Sequence, residues 1–308
     1  MRRLGLTLLT GLTLVYPCTA RADDVADCER ASDSARRIQA CSAVIKRDPR
    51  SANAHFWRGN ASGILGAHDK ALEDYATALK LDPANLTIYL NRADSYLGLG
   101  AFDLALADVH HFLKSADVSN KAVLALAYAV RGRALGNKGD IAAAVADLDK
   151  AIELDPKLAA HYANRGYFLS VAGAQDPAIE DFDRALRLDP THAGTWLNRG
   201  LAHRRKGDNT GAVADLTEAI KHAPTLADAF LTRGNAYLQL GALDNAIADY
   251  TQTIALAPND ARAYNARGLA FAEKKDRARA VADYRKALSI NPRYERAIEN
   301  LRDLGEKP

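Results

Sequence analysis

A proline recurs every 34 residues along most of this chain, and this spacing constrains the fold more than any other feature. The period is broken once, between Pro83 and Pro156, where two periods are lengthened by five residues. The members of the ladder are Pro49, Pro83, Pro156, Pro190, Pro224, Pro258 and Pro292. Periods of this length are typical of supersecondary units that bury their apolar faces by stacking on their neighbours. The sequence therefore predicts a repeat protein.

Small and bulky residues recur at fixed positions within each unit. If the proline is numbered 32, position 8 is Gly or Ala, position 20 is always Ala and position 24 is always bulky. A turn containing Gly separates two helical stretches, with Lys275 as the exception. Small residues at facing positions allow two helices to approach closely with interlocked ridges. Proline cannot continue a helix but suits the first turn of the next one. The pattern predicts an all-α fold of antiparallel helix pairs.

Two repeats carry the pattern most completely. Their matching residues are Tyr162, Gly166, Ala178, Phe182, Ala185 and Pro190 in one, and Phe230, Gly234, Tyr237, Ala246, Tyr250 and Pro258 in the other. This pattern resembles the tetratricopeptide repeat (TPR) family. The resemblance covers seven repeats, two at 52–119 and five at 125–294. It implies an α-solenoid of stacked antiparallel helix pairs in a right-handed superhelix, whose concave face binds peptides or protein segments.

The segments outside the repeats have their own predictions. Residues 23–51 are expected to form an N-terminal cap with one full helix, roughly 35–46, and residues 295–308 a capping helix and tail. The insertion at 120–124 is expected to lengthen the next helix, which begins near Asn120 and is capped by Ser119. It is either a tolerated extension or a local docking ledge.

The first 22 residues have the organisation of a signal peptide. Arg2 and Arg3 form a basic start, an apolar stretch follows from Leu4 to Val15, and cleavage is expected after Ala22. The apolar stretch is shorter than the roughly 20 residues that a transmembrane helix needs. A bacterial periplasmic location is therefore expected, with no membrane span in the mature chain.

Cleavage would leave two cysteines, Cys28 and Cys41. An even pair in an oxidising compartment predicts a disulfide. Along one helix the two residues would lie roughly 20 Å apart, whereas bridged Cα atoms lie about 5.5 Å apart. The chain must therefore turn between them, and the alternative is two buried free thiols.

Position 7 is Arg and position 23 is Asp in all seven repeats. The arginines are Arg58, Arg92, Arg131, Arg165, Arg199, Arg233 and Arg267, and the aspartates are Asp74, Asp108, Asp147, Asp181, Asp215, Asp249 and Asp283. We interpret them as a structural ladder of ion pairs, within or between repeats, that sets the register. The functional alternative is a basic groove for anionic ligands.

The sequence contains no recognisable catalytic, metal-binding or cofactor-binding motif, so we expect no enzymatic activity and no cofactor. Beyond the leader, basic and acidic residues are equal in number. This balance gives no reason to expect nucleic acid as the partner. The expected partner is a protein or a peptide, and the oligomeric state is left open.

By the family resemblance, positions 2, 5, 6, 9, 12 and 13 face the concave surface. The candidate groove residues are Phe56, Trp57, Asn60, Asn91, Arg133, Asn164, Tyr167, Asn198, Arg204, Arg205 and Asn235. Asn can donate to and accept from a peptide backbone, although these side chains could instead cap turns or hydrate the groove. The residue set of the two-carboxylate clamp found in some chaperone-binding relatives is absent. The leading hypothesis is a scaffold or adaptor of the cell envelope; the alternatives are a holdase-like chaperone and a self-assembling structural protein.

Overall fold

The computed structural model describes residues 20–115 and 119–307, which contain seventeen α-helices and no β-strand. These residues divide into two compact units, residues 20–115 and residues 119–307. The predicted leader, residues 1–22, lies almost wholly outside the described residues. Only its last three residues fall within them, in the first turn of helix α1.

The first unit contains three helical hairpins. Its helices are α1 (Ala20–Arg30), α2 (Ser34–Arg47), α3 (Ala52–Ile64), α4 (His68–Leu81), α5 (Leu86–Gly98) and α6 (Phe102–Ser115). The prediction of one full helix in the N-terminal cap is wrong, because α1 and α2 form a hairpin. Asp33 begins α2 by accepting a hydrogen bond from the backbone N–H of Arg36, and residues 31–33 make the turn.

The second unit contains five helical hairpins and a final helix. Its helices are α7 (Lys121–Asn137), α8 (Ile141–Leu154), α9 (Ala159–Val171), α10 (Gln175–Leu188), α11 (Ala193–Arg205), α12 (Asn209–His222), α13 (Ala227–Gln239), α14 (Leu243–Leu256), α15 (Ala261–Glu273), α16 (Arg277–Ile290) and α17 (Glu295–Asp303). The inserted residues lengthen α7 to 17 residues, against 13 in α9. The helix cap is Asn120, whose side chain accepts from the Val123 N–H, and not Ser119.

The two signature positions of the second helix form the core of every repeat. Each Ala at position 20 is fully buried, and each bulky residue at position 24 is at most 2% exposed. Position 8 faces them on the first helix. A Cβ on Gly166 would lie 2.9 Å from Phe182 and 3.0 Å from the carbonyl oxygen of Ala178. Only glycine therefore fits at this crossing when the facing residue is an aromatic.

The turn inside each repeat needs a left-handed residue. Six repeats use glycine there, for example Gly173 with φ 88°, whereas the last repeat uses Lys275 with φ 63°. A side chain in this conformation costs roughly 1 kcal/mol relative to glycine. The geometry of the turn is therefore kept in repeat 7 even though its sequence signal is lost.

The two cysteines lie on the two helices of the N-terminal hairpin, Cys28 on α1 and Cys41 on α2. Their sulfur atoms are 2.09 Å apart and their Cα atoms 4.6 Å apart, so the structure places them at bonding distance. Both are buried in a small core with Ala40 and Ala54. The turn at residues 31–33 brings them together.

Candidate functional site

The arginine at position 7 of each of the seven repeats pairs with the aspartate at position 23 of the same repeat. Nε and Nη2 of each Arg donate to the two carboxylate oxygens of the Asp sixteen residues later, at distances of 2.6 to 2.9 Å. This is the bidentate geometry in which a guanidinium and a carboxylate interact most strongly. The aspartate side chains are at most 10% exposed. The pairs join the first helix of a repeat to its second.

The third guanidinium nitrogen reaches the preceding helix pair in five cases. Nη1 of Arg165 donates to Asp149 at 2.6 Å, and Nη1 of Arg199 donates to Asp183. The other three acceptors are hydroxyl groups, namely Ser42 for Arg58, Thr217 for Arg233 and Thr251 for Arg267, at 3.1 to 3.2 Å. One arginine therefore ties together three helices from two adjacent hairpins.

An aromatic ring at position 4 lies against the guanidinium of most of these arginines. The guanidinium of Arg199 lies 4.7 Å from the ring centre of Trp196, and that of Arg131 lies 5.3 Å from Tyr128. The hydrogen bonds that Arg131 donates to Asp147 raise the pKa of its guanidinium. In repeat 1, position 4 is His55, which instead lies 3.0 Å from the Asp74 carboxylate. The seven arginines of the ladder are thus neutralised by the seven aspartates inside the protein. This pairing favours the structural interpretation over a basic groove.

Two of the predicted groove residues pack inside the first unit. Phe56 is 8% exposed and belongs to the core around Tyr75. Trp57 is half-buried against the N-terminal hairpin, with Arg37 5.4 Å from its ring centre. The prediction of groove contact is wrong for Phe56, because the core of repeat 1 covers its ring, whereas for the half-buried Trp57 it stays a prediction.

Three of the predicted asparagines hydrogen-bond within the protein. Asn60 accepts from Asn91 and from the hydroxyl of Tyr75, both at 2.8 Å. Asn235 accepts from the hydroxyl of Tyr250 at 3.0 Å. These amides fix the position of a core tyrosine, and the remaining donors and acceptors of their side chains are left for a ligand.

The second unit contains a cleft that brings together two other predicted groove residues, Arg133 on α7 and Asn164 on α9. Its volume is about 520 Å³. The lining residues are Arg133, Lys157, Leu158, Ala159, Ala160, Ala163, Asn164, Leu188, Asp189, His192 and Thr195. Apolar walls with a few polar groups are typical of sites that hold a side chain or a short segment.

The other predicted groove residues of the second unit lie outside this cleft. Tyr167 follows Asn164 on α9 and is 43% exposed. Asn198 is half-buried on α11. At the end of that helix, Arg205 donates to the hydroxyl of Ser170 at 2.7 Å, whereas Arg204 makes no hydrogen bond to any described residue and its Nε is buried. Arg205 is therefore hydrogen-bonded within the protein, whereas the adjacent Arg204 is not bonded to any described residue.

The cleft also uses residues that sequence reasoning missed. Lys157 and Leu158 precede α9, His192 caps α11, and Thr195 lies in the first turn of α11. His192 accepts from the Thr195 N–H at 3.2 Å through Nδ1. These residues lie in or next to the loops between repeats, outside the six repeat positions that the family resemblance assigns to the concave surface. Their place directly before or at the start of the first helices is the signal in the sequence that points to them.

The described residues show no metal site and no membrane span. Within 20–115 and 119–307, no three His, Cys, Asp or Glu side chains form a group that could hold a metal ion. No helix of these segments has the length and apolar character needed to cross a membrane.

Comparison with known proteins gives matches in sequence and in fold. Models of the TPR repeat and tetratricopeptide repeat match residues 64–100 and 234–275, 125–158, 176–227 and 261–294, together more than half of the chain. No curated protein sequence gives a significant match.

Three solved structures illustrate the likeness of fold. MamA is 30% identical, with 53% of this chain and 96% of that chain aligned at a TM-score of 0.50. YrrB, described as a TPR protein with an unusual peptide-binding site, is 23% identical over 63% of this chain and 99% of its own, with a TM-score of 0.55. A tetratricopeptide repeat protein from Parabacteroides merdae is 19% identical over 86% and 98%, with a TM-score of 0.55. The chain belongs to the tetratricopeptide repeat family.

Proposed function

We propose that this protein is a non-enzymatic scaffold that binds a peptide or protein segment on the surface formed by the first helices of repeats 3 to 5. The observation that supports the proposal is the cleft between Arg133, Asn164 and Thr195, which lies across α7, α9 and α11. Its volume of about 520 Å³ can hold one or two side chains of an extended segment. Membership of the family, and the described peptide binding of YrrB, support the same function.

A substitution in the cleft tests this function against a matched substitution elsewhere. Ala160 lies in the cleft and is exposed, so Ala160→Arg fills the cleft without disturbing the core. Ala146 is exposed on α8 and outside the cleft, so Ala146→Arg adds the same side chain at a different surface. Partners are crosslinked and recovered from an envelope extract with each protein. We expect the partner to be lost with Ala160→Arg and kept with Ala146→Arg; recovery with both contradicts the proposal.

We further propose that the scaffold works in the periplasm, with Cys28 and Cys41 joined as a disulfide. A basic and apolar leader, and the burial of the two cysteines on facing helices with their Cα atoms 4.6 Å apart, support this location. Cell fractionation should recover the protein, shortened by about 22 residues, from the periplasm. Thiol titration of the denatured protein should find no free cysteine before reduction and two after it. A full-length cytoplasmic product with three free thiols contradicts this proposal.

Exposed apolar side chains in the first unit favour a second candidate function, a holdase-like chaperone. Ile64 and Leu65 are 71% and 58% exposed at the turn of repeat 1, and Leu99 is exposed at the same turn of repeat 2. A chaperone should suppress the aggregation of several unrelated clients, and Ile64→Ser with Leu65→Ser should weaken that suppression. Failure to protect any client excludes this function and leaves the scaffold.

A further inference from the structure

The first helices of repeats 3 to 5 carry basic residues and no acidic ones. In α7, α9 and α11 every charged side chain other than histidine is Lys or Arg, whereas the Asp and Glu residues of these repeats lie on α8, α10 and α12 and in the connecting turns, at residues 140, 155, 189 and 208. Arg131, Arg165 and Arg199 are neutralised by their ladder aspartates. The last charged residues of α11, Arg204 and Arg205, are also positive, whereas the cleft itself contains Asp189, so the end of α11 is the part of this surface that complements an acidic partner.

Arg204 is the most unusual of these residues. It forms no hydrogen bond or ion pair with any residue in 20–115 or 119–307, and its Nε is buried without an acceptor. Its neighbours at the end of α11 are occupied, since Arg205 donates to Ser170 and Lys206 pairs with Asp176. A cation that is partly removed from water without a counter-ion is unfavourable unless a ligand supplies one.

The repeat pattern shows that Arg204 is not needed for packing. It occupies position 12, which in the other repeats of the second unit is filled by small or apolar residues. These are Gly136, Ser170, Leu238 and Ala272. Repeats with the same helix pairing therefore fold with a small or apolar side chain here. The guanidinium is an addition specific to repeat 5.

Arg204 lies close enough to the neighbouring repeat for its charge to act on Tyr250. Burial raises the pKa of Tyr250, and the positive charge of Arg204 opposes that rise. The Tyr250 hydroxyl donates to Asn235, which leaves the amide N–H groups of Asn235 available as further donors. Glu273 also acts on Tyr250, but it forms no ion pair with Arg204. A carboxylate reaching Arg204 would meet donors from α11 and α13.

We propose that the second unit binds an acidic peptide segment and that Arg204 receives one of its carboxylates. This inference rests on the proposed function and specifies the chemistry of its ligand. Lys157 is a further exposed cation at the cleft, which also contains Asp189, and the amides of Asn164 on α9 and Asn198 on α11 offer donors and acceptors to a peptide backbone. Isolated cations separated by amides and apolar side chains suit a peptide better than a phosphate backbone, which requires a continuous basic stripe.

A random dodecapeptide library displayed on phage tests the proposal with the full chain. Selected peptides should be enriched in Asp and Glu, and the tightest one is then synthesised with a fluorescent label. Fluorescence anisotropy measures its Kd, together with that of a version in which every Asp and Glu is replaced by Asn and Gln. We expect the amide version to bind at least tenfold more weakly, and the Kd of the acidic version to rise with salt.

The same labelled peptide is then measured against protein variants. Arg204→Gln should raise the Kd about tenfold or more, Arg204→Lys should restore part of the affinity, and the control Arg187→Gln, at an exposed arginine on α10, should change nothing. Equal binding of the acidic and amide peptides, or tighter binding of a labelled oligonucleotide than of any peptide, overturns the proposal. If the two peptides bind equally but Ala160→Arg abolishes the binding of both, only the proposal of an acidic ligand fails. If Ala160→Arg leaves the binding of both peptides intact, the proposed function of the cleft fails as well.

Discussion

The ion pair between Arg165 and Asp181 offers the sharpest test of how the repeats are held together. Asp181 accepts two hydrogen bonds, at 2.8 and 2.6 Å, and its side chain is 8% exposed, whereas that of Arg165 is 24% exposed. Removing Arg165 leaves the Asp181 carboxylate buried and unsatisfied, and removing Asp181 leaves a largely buried guanidinium whose remaining partner is the exposed Asp149. We therefore expect Asp181→Ala and Arg165→Met each to lower the free energy of unfolding by about 3 kcal/mol. The double variant should lose about 2 kcal/mol less than the sum of the two.

Urea unfolding followed by far-UV circular dichroism measures these changes, provided that the m-value stays constant through the series. The matched control uses the same arginine with Asp149, which binds Nη1 at 2.6 Å but is 55% exposed. Its coupling to Arg165 should be only about 0.5 kcal/mol, because solvent screens an exposed pair. Additive effects of Arg165→Met and Asp181→Ala would refute the idea that the bidentate pair stabilises the repeat as a unit.

Three further predictions follow from the packing. Gly166→Ala should lower the free energy of unfolding by about 1–2 kcal/mol, because its Cβ would meet the ring of Phe182, and this loss should be smaller in a Phe182→Val background in urea titrations; a neutral Gly166→Ala contradicts the packing. Lys275→Gly should raise the thermal midpoint through about 1 kcal/mol of relieved left-handed strain, and an unchanged midpoint contradicts this. Burial lowers the pKa of His161 below 6.5, so its neutral form is favoured in the folded state. Stability should therefore fall as the pH drops below about 6.5, and His161→Thr, the residue found at this position in repeat 5, should reduce that slope in urea midpoints measured at several pH values; an unchanged slope contradicts the assignment.

Several features of the site could be predicted from particular residues. The invariant Arg and Asp at positions 7 and 23 indicated paired charges, although the sequence left open whether they pair within or between repeats. The structure shows bidentate pairing within each repeat and a third contact to the preceding helix pair. Arg133 and Asn164 were assigned to the concave surface from their repeat positions, and the structure brings them to one cleft.

Other features depended on contacts that the repeat pattern does not contain. Phe56 occupies a nominal groove position, but the core of repeat 1 covers it, and the N-terminal hairpin packs against part of the neighbouring Trp57. That hairpin has two helices where one was expected, because α1 lacks the repeat pattern and its polar sequence gave no periodic signal.

The sequence by itself determined the seven helix pairs of the repeats, because each is encoded by short-range spacing that is written seven times. The tertiary structure alone decided which side chains remain available. Arg204 and Arg205 are adjacent and chemically identical, yet one is occupied by Ser170 and the other has no partner among the described residues. That difference arises from the neighbouring repeats against which each guanidinium packs, and a pattern read along one repeat does not include those contacts.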